Sequence, residues 1–399
     1  MGAAAVSGAY DFDRPIDRYG TDSVKFDGCP GYFGSADLLP MWVADMDFAV
    51  PPAVSEALLA RARHPVFGYT LLPPSLGEAL AGWMARRHHW QLRPEWAVYT
   101  PGVVPALHAA VMAFTEPGEG VIVQPPVYHP FFGAVTLTGR RLLLNPLELA
   151  GDHYRMDLEQ LERCAAGGAR LLLLCSPHNP VGRVWEEEEL CRLLAVCRRH
   201  GVTVLSDEIH HDLVYPGHRH RPLAALADNA DDIVTAVAPS KTFNIPGLGL
   251  SALIVPCARR RAALRQVLDR VHLTAANPFA SAAFEAAYRD CDDWLEALLG
   301  YLEESRAAVT ERIARRLPEL AVIRPQGTYL LWLDCRRLGL ADAELKRFFV
   351  EQARVGLSPG IVFGEAGSGF MRMNLGAPRS RLLEAADRIE SALRSRPSA

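Results

Sequence analysis

Lys241 is one of three lysines in a chain of 399 residues that fills nearly all its other basic positions with arginine. It stands in Ala238-Pro239-Ser240-Lys241-Thr242-Phe243-Asn244, at the end of the apolar run from Ile233 to Ala238. Arginine cannot replace lysine where an amine must shed its proton and attack a carbonyl, because the guanidinium stays protonated in proteins. The other two lysines, Lys25 and Lys346, have polar or charged neighbours. Thirty-four residues upstream, Asp207 closes a second apolar run, Val202 to Leu205. An amine and a carboxylate, each just past a buried strand, suit the chemistry of pyridoxal phosphate. The amine forms a Schiff base with the aldehyde, and the carboxylate pairs with the ring nitrogen. A lone Lys–Asp pair also reads as a plain ion pair at a sheet edge. The residues that share its rim decide between the two.

Those residues need elements to position them. From about residue 95 the sequence alternates strand and helix. The strand candidates are Ala97–Tyr99, Val121–Val123, Arg141–Leu144, Leu171–Leu174, Val202–Leu205, Ile233–Val237 and Ala252–Val255. They are short, apolar on both faces and separated by helical stretches such as Glu186–His200, which predicts a mainly parallel seven-stranded sheet covered by helices. In such sheets ligands bind beyond the carboxyl ends of the strands. The first strand is followed by Thr100-Pro101-Gly102-Val103-Val104, where a glycine opens a helix whose free N–H groups suit a phosphate. Tyr128 follows the second strand and is placed to stack on an aromatic ring. Asn179, in Pro177-His178-Asn179-Pro180, could donate to a phenolate oxygen. Asp207, Glu208 and His210 follow the next strand, and Ser240 and Lys241 the one after. Each group is weak evidence alone; together they collect on one rim.

The rest of the chain frames this core. Pro51-Pro52 opens a helix over Ala53–Ala62, a long helical region runs from about Ala280 to Leu317, and the last eighty or so residues mix strands (Gly327–Asp334, Gly369–Asn374) with helices (Ala343–Arg354, Leu382–Ser395). The expected organisation is an N-terminal arm over 1–50, a large cofactor-binding domain over 51–290, and a smaller α/β domain over 291–399 that the arm joins. The hydrophobic content is 49%, the charged content 22% and the net charge −4. These values point to a globular protein with no basic field for nucleic acid or an anionic membrane. Eight scattered cysteines form no Cys-x-x-Cys pair, and Met1–Ala9 lacks the form of a signal peptide. Reduced thiols in a cytoplasmic protein are expected. The run Asp207-Glu208-Ile209-His210-His211-Asp212 invites a metal reading, but no matching ligand set stands out elsewhere and adjacent residues at a strand end point apart, so no metal is expected.

The chain resembles the fold-type-I pyridoxal phosphate enzymes of the aspartate aminotransferase superfamily. Within them it is most similar to the MalY/PatB-type cystathionine β-lyase (C–S lyase) branch. The resemblance is carried by Pro40-Met41-Trp42-Val43-Ala44-Asp45-Met46-Asp47-Phe48, Phe67-Gly68-Tyr69, Thr100-Pro101-Gly102-Val103-Val104, Pro177-His178-Asn179-Pro180-Val181-Gly182, Ser206-Asp207-Glu208-Ile209-His210, Pro239-Ser240-Lys241-Thr242-Phe243-Asn244, Gly327-Thr328-Tyr329-Leu330 and Phe370-Met371-Arg372-Met373-Asn374. It implies that Lys241 holds the cofactor and then acts as base at the substrate Cα. It further implies that Asp207 pairs with the pyridine nitrogen, Asn179 bonds the phenolate oxygen and Tyr128 stacks on the ring. Gly102, Val103, Val104 and Ser240 would hold the phosphate, and His210 would join the cofactor-binding set. Tyr69 would reach the phosphate of a neighbouring subunit, which implies a homodimer with shared sites. Arg372 would clasp the substrate α-carboxylate, with Ala44 and Tyr329 in the substrate-binding set. Many aminotransferases of this fold carry an arginine eight residues after the lysine; Gly249 stands there instead. That departure agrees with the lyase branch.

The reading that results is a β-elimination on cystathionine or another cysteine S-conjugate, yielding thiol, pyruvate and ammonia. Three alternatives remain open on sequence: an aminotransferase, a specialised enzyme acting by elimination or oxidative deamination on a cysteinyl adduct, and a regulator that retains the site. Trp42, Tyr329 and the stretch His272–Phe279 are candidates for the side-chain pocket, or for packing between domains.

Overall fold

The computed structural model describes residues 10–273 and 275–396. Its central sheet has seven strands, in the order Ala97–Thr100, Ser251–Ile254, Ile233–Val237, Thr203–Asp207, Ala169–Cys175, Gly120–Val123 and Arg141–Leu144. All run parallel except Ser251–Ile254, which is antiparallel to both neighbours. The predicted strands are all present, shifted by a few residues at their ends.

Strand periodicity explains why the interior strands are apolar at nearly all positions. Leu171, Leu173, Leu205 and Val234 face one way and pack with Leu107 and Val111 of the helix Val103–Phe114. Leu172, Leu174, Val204 and Ile233 face the other way and join a cluster with Trp83, Trp185 and Phe284. Both faces are covered, so most positions are apolar, with small hydroxyl residues such as Ser206 and Thr235 as buried exceptions, and each large apolar side chain contributes about 1.5–3 kcal/mol on burial. Arg141–Leu144, at the sheet edge, is only partly buried. Register places Asp207 opposite both Cys175 and Ala236, so the carboxyl ends of the middle strands share one rim.

The helical region expected over Ala280–Leu317 is two helices, Pro278–Asp290 and Asp292–Arg316, which meet at Cys291. Asn277 caps the first by accepting from the amides of Phe279 and Ala280. The second leads to a smaller antiparallel sheet ordered Ala321–Ile323, Leu330–Asp334, Phe370–Asn374 and Ser358–Pro359. The N-terminal arm joins this region through Leu39–Pro40, which pairs in parallel with Val355–Gly356. The helix expected over Ala343–Arg354 ends as an α-helix at Arg347 and continues as a π turn, Phe348–Gln352. No described helix is long and apolar enough to cross a membrane.

The arm is held by buried charge. Lys25, unremarkable in sequence, is fully buried, and its Nζ lies 2.9 Å from Asp47 Oδ2 and 4.0 Å from Asp45 Oδ1. Arg18 closes the network at 2.7 Å from each of Asp45 and Asp47. This network fixes Trp42–Phe48, the segment that reaches the candidate site. Removing one partner of a buried pair strands the other. Asp47→Ala is therefore expected to lower stability by about 3 kcal/mol, read as a lower urea midpoint at unchanged slope.

Candidate active site

A cavity of about 520 Å³ opens at the carboxyl rim of the large sheet, lined by residues at or just after the carboxyl ends of five of its strands, by the arm and by the smaller sheet. Among the predicted site residues, its wall includes Gly102, Val103, Val104, Tyr128, Asn179, Asp207, His210, Ser240, Lys241, Ala44 and Arg372.

At one end sits an anion cradle. Gly102 takes φ 155° and ψ 164°, a conformation essentially restricted to glycine. It starts the helix Val103–Phe114 without a side-chain cap. The first helical bond to its carbonyl comes from the Ala106 amide, and Pro105 has no N–H to give. The amides of Val103 and Val104 are left as free donors at the positive end of the helix dipole. Ser240 lines the same cavity. Gly249 adjoins this end at φ +60°, and a Cβ there would come within 3.0 Å of Pro101 O. A side chain is therefore poorly tolerated at the position where the resemblance led us to look for arginine.

The central groups are buried and ionisable. Lys241 Nζ donates to Ala44 O at 2.7 Å. Burial pulls its pKa from 10.5 down to about 8, and Arg372 adds to this, while Asp45 and Asp207 oppose it. Asp207 accepts the Ile209 amide at 3.1 Å. Burial, with a smaller push from Glu208, raises its carboxyl from 3.8 to about 7 despite that bond and nearby Lys241. His210 is buried with Nδ1 lacking a hydrogen-bond partner. Burial, then Lys241 and Arg372, drive its pKa well below the usual value, so it is neutral.

Arg372 does not form the surface ion pair that a strand-face arginine suggests. It is buried, and its donors go to neutral acceptors: Asn179 Oδ1 at 3.0 Å, Trp42 O at 2.6 Å and Ser358 Oγ at 3.2 Å. Its Nε has no partner, and among the described residues no carboxylate lies within ion-pair distance. Accepting from Arg372 fixes the Asn179 amide with Oδ1 toward the guanidinium, which leaves Nδ2 free as a donor. The Tyr128 amide in turn donates to Asn179 O at 3.2 Å.

Two predicted site residues and one predicted stretch stand elsewhere. Tyr329 is buried behind the arm, off the cavity wall, and its hydroxyl donates to Ala44 O at 2.8 Å. It thus supports Ala44. Tyr69 is fully exposed on the loop after the helix Pro52–Arg63, away from this cavity. The described residues of 272–279 are also off the wall; Phe279 packs on Phe67 at 5.4 Å between centroids. Trp42 is on the wall, stacked on Tyr32 at 4.4 Å. Two contributors were not singled out in sequence. Ser358 supports Arg372, and Asn244 binds Met46 N and O and Phe48 O to hold the arm. The Asn244 contacts span nearly two hundred residues of chain, and Ser358 reaches Arg372 across a pair of strands 14 residues apart, so neither role shows in local sequence.

An anion cradle, a lysine and an acid on neighbouring strand ends, and a parallel sheet behind them define the fold-type-I class of pyridoxal phosphate enzymes. The family Aminotransferase class I and II matches residues 36–389. The chain is 46% identical to cystathionine β-lyase PatB of Bacillus subtilis over 96% of this chain and all of that protein. It is 36% identical to MalY of Escherichia coli over 97% and 99% of the respective chains. The crystal structure of cystalysin from Treponema denticola superposes with a TM-score of 0.94 at 34% identity, covering 96% of this chain and 99% of that one. The chain belongs to the aminotransferase class I and II family, in its MalY/PatB cystathionine β-lyase branch.

With three lysines in the chain, the amine can be followed directly. After ¹³C reductive methylation of cofactor-free protein, the resonance that disappears in Lys241→Arg should titrate with a midpoint near pH 8. A midpoint at the ordinary lysine value would show that burial does not control this amine.

Proposed function

We propose that the protein is a pyridoxal 5'-phosphate enzyme that cleaves the Cβ–S bond of cystathionine or another cysteine S-conjugate, giving thiol, pyruvate and ammonia. The observation that carries this reading is Arg372, a buried guanidinium with only neutral partners, on the wall of a cavity that also holds Lys241 and Asp207. Such a site lacks an anion, and the α-carboxylate of an amino acid supplies one in bidentate form. The relatives agree: PatB is a cystathionine β-lyase, and the cystalysin crystal contains pyridoxal 5'-phosphate.

The residues fit the cofactor. The Val103 and Val104 amides and Ser240 would take its phosphate, Asn179 Nδ2 its phenolic oxygen, and Tyr128 its ring face. Burial raises the Asp207 carboxyl to about 7; it would pair with a protonated ring nitrogen, which favours the carboxylate. When bound, the cofactor withdraws electron density from the substrate Cα. Arg372 would hold the carboxylate and so fix which Cα bond faces the ring. Lys241 Nζ, freed by incoming substrate, would take the Cα proton; its lowered pKa leaves a useful fraction unprotonated near neutrality. The Cβ–S bond then breaks, the thiolate leaves, and water releases pyruvate and ammonia. Gly249 beside the phosphate cradle supports lyase over aminotransferase chemistry.

We also read the working form as a cytoplasmic homodimer. Val66, Phe67, Tyr69 and Leu71 are exposed on one loop, and pairing two copies there would cover them and bring Tyr69 to the other copy's phosphate site.

Purified enzyme incubated with L-cystathionine, and separately with an S-alkyl cysteine, without keto acid, should form pyruvate and free thiol. Lys241→Ala should abolish both products. Cofactor-loaded enzyme that forms neither would sink the general lyase reading and turn the search to transamination or a bulky S-conjugate.

A further inference from the structure

Five residues past Asp207, outside the cavity, lies a buried cluster that the proposed chemistry does not use. Asp212 is its hub. Its Oδ1 accepts from Trp83 Nε1 at 3.1 Å and contacts His88 Nε2 at 2.8 Å. Its Oδ2 accepts from Thr242 Oγ1 at 2.8 Å and lies 3.1 Å from His211 Nε2. Trp83 and His88 come from the helix Pro74–His88, and Thr242 directly follows Lys241. A second buried acid, Glu208, holds Ser206 Oγ at 2.8 Å, the Leu223 amide at 3.0 Å and His220 Nε2 at 3.0 Å. The three imidazoles approach within 4.6–6.3 Å of one another.

The donor pattern argues against a metal between His88, His211 and Asp212, although their ligand atoms lie close together. Both Asp212 oxygens already accept protein donors, so a cation would have to displace them. The charges are settled internally. Burial holds His88 near 4, making it a neutral donor. Burial also opposes charge on His211, but Asp212 and the Glu208 carbonyl outweigh it and raise its pKa. Asp212 is held well below the usual carboxylate range by His211 and His88, against the penalty of burial. An anion with this many satisfied bonds is stiff, and it grips three segments at once.

We infer that Asp212 is a positioning residue: by tying the loop Asp207–Asp212 to the Lys241–Thr242 turn and to the end of the helix Pro74–His88, it sets how the carboxylate of Asp207 and the amine of Lys241 face the same ligand. The inference rests on the cofactor reading above. The hydroxyl of Thr242 is the link on which it turns, since it carries the hub's hold on the amine.

Thr242→Val removes that hydroxyl and keeps the branched shape, whereas Thr242→Ser keeps the hydroxyl. Asp212→Asn keeps the hub's size and removes its charge. The readouts are the visible circular dichroism of the bound cofactor, which reports its orientation, and the split between kcat and KM. Thr242→Val and Asp212→Asn should each weaken the visible dichroism per bound cofactor. Each should lower kcat on the order of tenfold with KM nearly unchanged, as small misplacements of reacting groups do. Thr242→Ser should restore both readouts. The double variant should be no worse than the more damaging single one, because both break one link. Wild-type dichroism and kcat in Thr242→Val, or losses that multiply in the double variant, would overturn the inference. If Asp212→Asn does not fold, the Thr242 pair decides alone. A wild-type protein that takes up no cofactor, visible before any variant is made, would overturn the underlying reading and this inference with it.

Discussion

The structure turns on a guanidinium buried without a counter-ion. Arg372 sits mid-strand in the smaller sheet, opposite Trp332 and Ser358. Its charge is offset by carbonyl, amide and hydroxyl oxygens and by the face of Phe363, whose ring centroid lies 4.9 Å from the guanidinium. Neutral acceptors offset a buried charge incompletely, so they must be held rigidly if the arginine is to stay. They come from three parts of the chain: Trp42 in the arm, Asn179 at the rim of the large sheet, and Ser358 beside Arg372 itself. One side chain therefore joins the arm, the large sheet and the small sheet at the cavity.

The arm is built for that duty. Its segment Trp42–Phe48 leaves its own ladder and offers carbonyl after carbonyl to other elements. Trp42 O goes to Arg372 and Ser358, Ala44 O to Lys241 and Tyr329, and Val43 O and Asp45 O to Asn374. Buried backbone acceptors need donors, and here functional side chains supply them. The ion network of Arg18, Lys25, Asp45 and Asp47 fixes the far side of the same segment. Ala44 O thus acts as a placeholder that keeps the Lys241 amine pointed and hydrogen-bonded until a ligand competes for it.

Much of this was legible in the sequence, for a local reason. A strand buried on both faces must be apolar to its end, so the first polar residues after it mark the rim. Asn179, Asp207 and Lys241 were visible as such terminal polar residues, and Gly102 as the start of a helix. What escaped depends on contacts distant in sequence. Lys25 gave no local sign of its burial, because only the fold encloses it and brings it to Asp47. Tyr329 reads in sequence as a pocket or packing residue, and the bond it shares with Lys241 at Ala44 O depends on residues far apart in the chain. His88 gave no sign of meeting Asp212, 124 residues away, so the reading that found no partners for the Asp207–Asp212 cluster could not anticipate the hub. The break at Cys291 escaped because both helices beside it carry good helical sequence; the backbone leaves helical geometry at that residue alone, with φ −120° and ψ 20°.

The ionisable groups follow one rule. Burial disfavours charge on Asp207, His210, Lys241 and Arg372 alike, and in each case it is the largest influence. Yet the first three respond near or below neutrality, whereas a guanidinium stays charged. Near pH 7 the cavity thus combines one permanent cation, a neutral imidazole, and an acid and an amine each within about a unit of changing state. Such a cavity adapts to the charges a ligand brings: an anion is drawn to the cradle and to Arg372, and a cationic N–H draws a full negative charge onto Asp207. Outside the cavity, His211 Nε2 lies 3.1 Å from Asp212 Oδ2, and each shifts the other toward its charged form. The contrast separates two uses of buried charge. Groups that must change state face the cavity with few partners, and groups that must not change lie behind it with many.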